Sequence, residues 1–246
     1  MSLRATRRAV ALGFALIVCV LRYWSIRLRG SVTLEQRAQW MQFAGRTVLA
    51  SLGVTCRFEG DPPQGGVVVA NHLSYLDIAV SSAAMKCFFV AKAEISRWPY
   101  FGEAARSGGT LFVDRSSTTS AENVAAEIGE RLALPVPILF FPEGTSSDGS
   151  SVLRFHSRLF EPAIQARAPV TAAAIRYIPA DGSEERDLCW FGDEAFLPHL
   201  WKTLGTVGFI AEIRFGEPHV YAHRREAADR TREEVVAMRA SNLVVR

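Results

Sequence analysis

From Val54 onward, short apolar runs alternate with helical patterns, and no other feature restricts the fold of this chain as strongly. Residues 54–58, 67–70, 87–90, 110–113, 136–141, 170–175 and 209–215 read as strands. Helices are expected over 75–85 and 121–132, and a charged helix over 224–239 is expected to be a solvated face. Strands alternating with helices imply an α/β domain with a mixed, largely parallel sheet flanked by helices. The chain has 246 residues, enough for one full core and a small appended element. With 49% hydrophobic and 22% charged residues, it is not a disordered chain.

The appended element lies at the N-terminus. Leu34 to Leu52 sets Leu34, Ala38, Met41, Val48, Leu49 and Leu52 on or near one side of a helix that Gly53 ends. Ahead of it, Ala9 to Leu21 is the most apolar stretch. As a helix it spans roughly 20 Å, short of the ~30 Å hydrocarbon core of a bilayer. Together these form an expected N-terminal helical pair over residues 1–52, followed by the α/β domain over 53–246. Arg7-Arg8 before an apolar core also fits a signal peptide, but Arg22-Tyr23-Trp24-Ser25 supplies no small-x-small cleavage site. A membrane-seated helix, partly inserted or lying at the interface, fits better. Its alternative is a helix packed on the domain's own core.

Charge is distributed unevenly. Arg4, Arg7, Arg8, Arg22, Arg27 and Arg29 all precede the first acidic residue, Glu35. The net charge of +3 is therefore a property of the N-terminus, and the rest of the chain is slightly acidic. That balance gives no reason to expect nucleic acid. Cys19, Cys56, Cys87 and Cys189 are far apart with no CxxC pair, which points to free thiols, no zinc site and no disulfide framework.

Three of the strands end in polar clusters. Asn71-His72 follows 67–70, Asp114-Arg115 follows 111–113, and Pro142-Glu143-Gly144-Thr145 follows 138–141. In open α/β sheets, ligands bind beyond the carboxyl ends of the strands, so these clusters point to one assembled site. His72 and Asp77 stand five residues apart. On one continuous helix they are about 140° apart and share no face. Ser74-x-x-Asp77 reads as a capping box, with Ser74 as N-cap, so the helix starts after His72 and the carboxylate can reach back to it. Two readings stand side by side: a base with its orienting carboxylate, or a helix cap beside an idle loop histidine. The fork of Arg115 suits phosphate. Gly144 would allow close approach to backbone amides, and Glu143 would either face the ligand or pair with Arg115.

The ordered set NHLSYLD (71–77), GGTLFVDR (108–115) and FPEGT (141–145) resembles the PlsC-type glycerophospholipid (lysophosphatidate) acyltransferase family, with its NHx4D, arginine and EGT blocks. Ala91-Lys92-Ala93-Glu94 with Pro99 and Gly102 resembles that family's lysine–proline–glycine segment, and the likeness runs from about Leu34 to Phe215. Two segments depart from it. Phe155-His156-Ser157-Arg158 stands where the family has Phe-Lys-x-Gly. Pro169-Val170-Thr171-Ala172-Ala173 stands near Pro-Val-x-Pro-Val.

The resemblance implies a glycerolipid acyltransferase-like α/β fold and an O-acyltransferase. It implies transfer of a fatty acyl group from acyl-CoA or acyl carrier protein to the hydroxyl of a lysophospholipid, foremost 1-acyl-glycerol-3-phosphate, giving phosphatidic acid. His72 would be the general base oriented by Asp77. Arg115, Glu143, Gly144, Thr145 and Lys92 would bind the acceptor. No metal or organic cofactor is expected, since the thioester is already activated. No GxSxG elbow supports an acyl-serine intermediate. Membrane lipids are the expected surroundings, at the cytoplasmic face of the inner (plasma) membrane. Three alternatives stay open: another acceptor such as a lyso-ornithine lipid, a thioester hydrolase, and a non-catalytic lipid-binding membrane protein.

Overall fold

The computed structural model describes residues 2–113 and 127–241. Seven strands form one sheet in the order β1-β7-β6-β2-β5-β3-β4. They are β1 (Val54–Glu59), β2 (Val67–Ala70), β3 (Phe88–Lys92), β4 (Leu111–Val113), β5 (Ile138–Phe140), β6 (Val170–Pro179) and β7 (Phe209–His219). Every neighbouring pair is parallel except β6–β7, which is antiparallel. The expected mixed, largely parallel sheet is therefore what the chain forms. Each run anticipated as a strand contains one, with β6 and β7 extending beyond 175 and 215.

Side-chain alternation along the strands builds two cores. Val68, Ala70, Phe89, Leu139, Ala173, Ile175 and Ile213 face one side. That side is covered by α1 (Leu3–Arg27), α2 (Leu34–Leu52), α3 (Leu76–Ala84) and α7 (Phe196–Gly205). Val67, Val69, Phe140, Ala172 and Ala174 face the other, under α6 (Glu161–Gln165) and α8 (Arg224–Ala240). Helix α5, described over residues 127–132, packs Ile128 against Phe88 and Ile138. α4 (Phe101–Ser107) links β3 to β4.

The helical pair is tied to the α/β core. Thr33 and Gln36 form a reciprocal capping box that starts α2, and Gly53 ends it at φ 70°. Gly45 allows α2 to press onto α3: a Cβ there would lie 2.7 Å from the Ala79 carbonyl oxygen. Helix α1 is longer than its apolar stretch. It continues through Arg22, whose guanidinium lies 4.3 Å from the Phe43 ring centroid, so the arginine does not break it. Its 25 residues reach about 38 Å, long and apolar enough to cross a membrane. One stripe, Ala5, Ala15, Cys19 and Tyr23, is buried against the protein, while Phe14, Ile17, Val18 and Leu21 are exposed. Arg8 pins the helix to the end of α7, donating to the Thr206 carbonyl at 2.8 Å.

One expectation needs correction, and one helix was not anticipated. α8 is not merely a solvated face. Ala227, Ala228, Thr231 and Val235 are buried, and Arg232 donates to the carbonyls of Val152 and Leu153. α7, which the strand count passed over, is amphipathic, with Leu200 and Leu204 inward and Leu197 and Trp201 outward. Pro198 falls in its first turn, where a missing N–H costs nothing.

Candidate active site

Parallel strands β2, β5, β3 and β4 point their carboxyl ends to the same edge of the sheet. His72 follows β2, Glu143 follows the adjacent β5, and Lys92 ends β3 between β5 and β4. Asp114 and Arg115 follow β4 and lie outside the described residues. The sheet thus assembles the sequence-distant clusters at one edge.

His72 and Asp77 meet. Nδ1 of His72 lies 2.7 Å from Oδ2 of Asp77. Helix α3 begins at Leu76, one residue later than a Ser74 N-cap predicts. Only half of the expected capping box is present: Asp77 Oδ2 accepts from the Ser74 N–H at 3.0 Å, while Ser74 Oγ accepts from Leu76 N rather than from Asp77 N. The same Oδ2 accepts from Leu73 N at 2.6 Å, and Oδ1 accepts from the Tyr177 hydroxyl. Asp77 is completely buried, so as a carboxylate it depends on these four donors. Capping and orienting are one arrangement: a carboxylate in the first helical turn holds both the loop amides and the imidazole.

An ionised carboxylate only accepts, so the His72 Nδ1 carries the proton and Nε2 holds the lone pair. The ring stacks on Phe141 with centroids 4.2 Å apart, and the side chain keeps 21% of its surface exposed. That geometry fixes the ring plane while leaving an edge within reach of a ligand. Behind it, the Asn71 amide bonds both the N–H and the C=O of Ile175 on β6, at 2.8 and 3.0 Å. The loop is thereby fastened to the next strand.

Glu143 is buried, and its Oε1 accepts from His72 N at 3.4 Å. Among the described residues its Oε2 has no hydrogen-bond partner. Burial pushes its carboxyl up to about 7, and the nearby Asp77 adds to the rise. Gly144 takes φ 74°, the left-handed turn that carries the chain out of the β5 end, and Thr145 is exposed beyond it. Lys92 is exposed at the end of β3. Ser147 N donates to the His72 carbonyl at 2.9 Å, which closes the EGT turn onto the histidine loop.

Sequence reasoning passed over Tyr177 and Ile175. Their only signal was their place on the inward face of an apolar run, four and two residues after Ala173 respectively.

A family model described as Acyltransferase matches residues 53–176. The chain is 39% identical over 184 residues to a 1-acyl-sn-glycerol-3-phosphate acyltransferase of Neisseria meningitidis serogroup B, covering 74% of this chain and 72% of that protein. It is 34% identical over 211 residues to a lyso-ornithine lipid O-acyltransferase of Pseudomonas aeruginosa, covering 85% and 80%. Among solved structures, the fold matches the crystal structure of the 1-acyl-sn-glycerophosphate acyltransferase PlsC from Thermotoga maritima. The TM-score is 0.68 at 18% identity, covering 98% of this chain and all of the other.

Proposed function

The chain belongs to the acyltransferase family, and from that premise we propose that His72 is the general base of an O-acyl transfer to a membrane lysolipid. The observation that carries this reading is the 2.7 Å contact between His72 Nδ1 and the buried Asp77 carboxylate, which leaves Nε2 as the free base. The acceptor hydroxyl gives its proton to Nε2, and its oxygen attacks the thioester carbonyl carbon. The C–S bond breaks, and the departing thiolate takes the proton back from the imidazolium. Asp77 stabilises that transient cation and keeps the ring from turning. No metal or organic cofactor has a part in these steps, because the thioester supplies the driving force.

The acceptor favoured is 1-acyl-glycerol-3-phosphate, giving phosphatidic acid, with acyl-CoA or acyl carrier protein as donor. Lys92, at the same strand edge, and Arg115 are the cations for its phosphate, and Glu143, Gly144 and Thr145 form the adjoining turn. A second acceptor, a lyso-ornithine lipid, is favoured by the Pseudomonas relative, which matches more of the chain. The exposed apolar side of α1 supports membrane association. The six arginines ahead of Glu35 favour anionic lipid on the cytoplasmic face, each worth about 1 kcal/mol near the surface.

The test offers labelled acyl-CoA and acyl carrier protein with a panel of lysolipids and resolves the products by mass. Phosphatidic acid from lysophosphatidate supports the first acceptor, and acylated ornithine lipid the second. Free fatty acid alone would make the protein a hydrolase and overturn the reading.

A further inference from the structure

We infer that Tyr177 is a positioning residue of the reaction: its hydroxyl completes the hydrogen bonding of Asp77, and it thereby sets the basicity of His72. The inference rests on the reading of His72 as the base. Tyr177 stands on β6, exactly one hundred residues from Asp77 in sequence, and is 1% exposed. It projects from the inward face of the strand, in the same core as α3. Its hydroxyl donates to Asp77 Oδ1, the oxygen that His72 does not use.

The division of donors matters. Oδ2 is occupied by the imidazole and two loop amides, whereas Tyr177 is the one donor to Oδ1 among the described residues. Burial above all, and then the neighbouring Asp77, hold the Tyr177 phenol well above its ordinary pKa, so it remains an O–H donor throughout the working range. The strand itself is held in place. Tyr177 N donates to Glu185 Oε1 at 2.7 Å, and Glu185 pairs with Arg239 of α8 at 2.7 Å. Arg239 also donates to the Ile175 carbonyl, the group that Asn71 grips from the catalytic loop. The remaining titratable groups around the pair are Glu143 after β5 and Cys189 after the 185–188 turn.

The consequence has a sign. A donor on Oδ1 draws charge away from the carboxylate and weakens its hold on the imidazolium. Without it, Asp77 is more basic, the protonated His72 is better stabilised, and the free base exists only at higher pH.

Tyr177→Phe removes the oxygen and keeps the ring. The acid limb of kcat/KM is expected to move up by about half a pH unit or more, with kcat reduced about 10-fold and the acceptor KM unchanged. The control is Tyr23→Phe, which removes a buried hydroxyl that bonds Arg37 between α1 and α2 and should leave the profile in place. If the Phe variant is too unstable to assay, 3-fluorotyrosine at 177 keeps the shape and sharpens the donor, and the limb should move down. A folded variant of either kind whose pH profile superimposes on the parent's overturns the inference. His72→Ala separates this from the parent reading. Loss of activity there with an unmoved Tyr177→Phe profile sinks only the role of Tyr177, and retained activity sinks the base itself.

Discussion

The loop after β2 and the helix α1 are built on opposite principles. In the loop, the buried polar groups are paired and His72 Nε2 is left free: Asp77 is fully buried, four donors meet its carboxylate, and Asn71 ties the loop to β6. In α1, a narrow stripe is buried and the opposite face presents Phe14, Ile17 and Leu21, each more than half exposed. An open groove of about 690 Å³ between α1 and α7, lined by Leu12, Leu16, Leu197 and Trp201 among others, extends that apolar surface. The loop gets its precision from bonds made inside the protein. The helix leaves its apolar area for a lipid surface to cover.

The sharpest way to break the contrast is to damage the loop. Asp77→Asn replaces an acceptor of four hydrogen bonds with a group that must itself donate two. kcat should fall about 10³-fold or more, and stability by about 2–4 kcal/mol, measured by acyl transfer and urea unfolding. A smaller rate effect with a normal fold would mean that the carboxylate caps the helix and does little else.

Damage to α1 should be large in a different measurement. Phe14, Ile17 and Leu21 changed together to Ser should lower partitioning onto anionic vesicles by at least about 10³-fold, since each side chain is worth about 1.5–3 kcal/mol when buried. Turnover of a detergent-dispersed acceptor should stay within about two-fold of the parent, because none of the three contacts the loop. Unchanged vesicle binding would place the anchor elsewhere.

The smallest effect separates the two regions by pH. Burial raises the Glu143 carboxyl to about 7 from 4.5, so the folded state holds its proton more tightly than the unfolded chain. Stability from this group is complete below about pH 4.5 and is lost as pH rises through about 7. Glu143→Gln removes the penalty. At pH 8 the variant should be more stable by about 3 kcal/mol, and the difference should vanish near pH 4.5. Parallel stability curves across that range would contradict the raised pKa of this buried carboxyl.

What the sequence made legible was local. β-branched runs marked the strands, and the polar residues after β2 and β5 marked the site, because a parallel sheet gathers its carboxyl ends at one edge. Ser74 and Asp77 indicated that the helix starts late enough for the carboxylate to turn back, although the start falls one residue on. What escaped was long-range. Tyr177 and the Asn71–Ile175 clamp depend on β6 lying beside β2, which no spacing reveals. α8 looked solvated because its charges dominate its composition, yet Ala227, Ala228 and Val235 are buried and two of its charged residues, Arg232 and Arg239, bond backbone carbonyls of the domain. The apolar stretch of α1 understated its length, since an arginine stem is compatible with a helix and its head found an aromatic ring.

The central claim is that His72, held through Nδ1, takes the acceptor's proton at Nε2. Its most direct test is single-turnover acyl transfer by His72→Ala beside the parent, with circular dichroism and melting to verify the fold. The side chain is partly exposed, so the fold should be retained while the rate falls at least about 10²-fold. A well-folded variant that transfers acyl groups at near the parent rate would contradict the account.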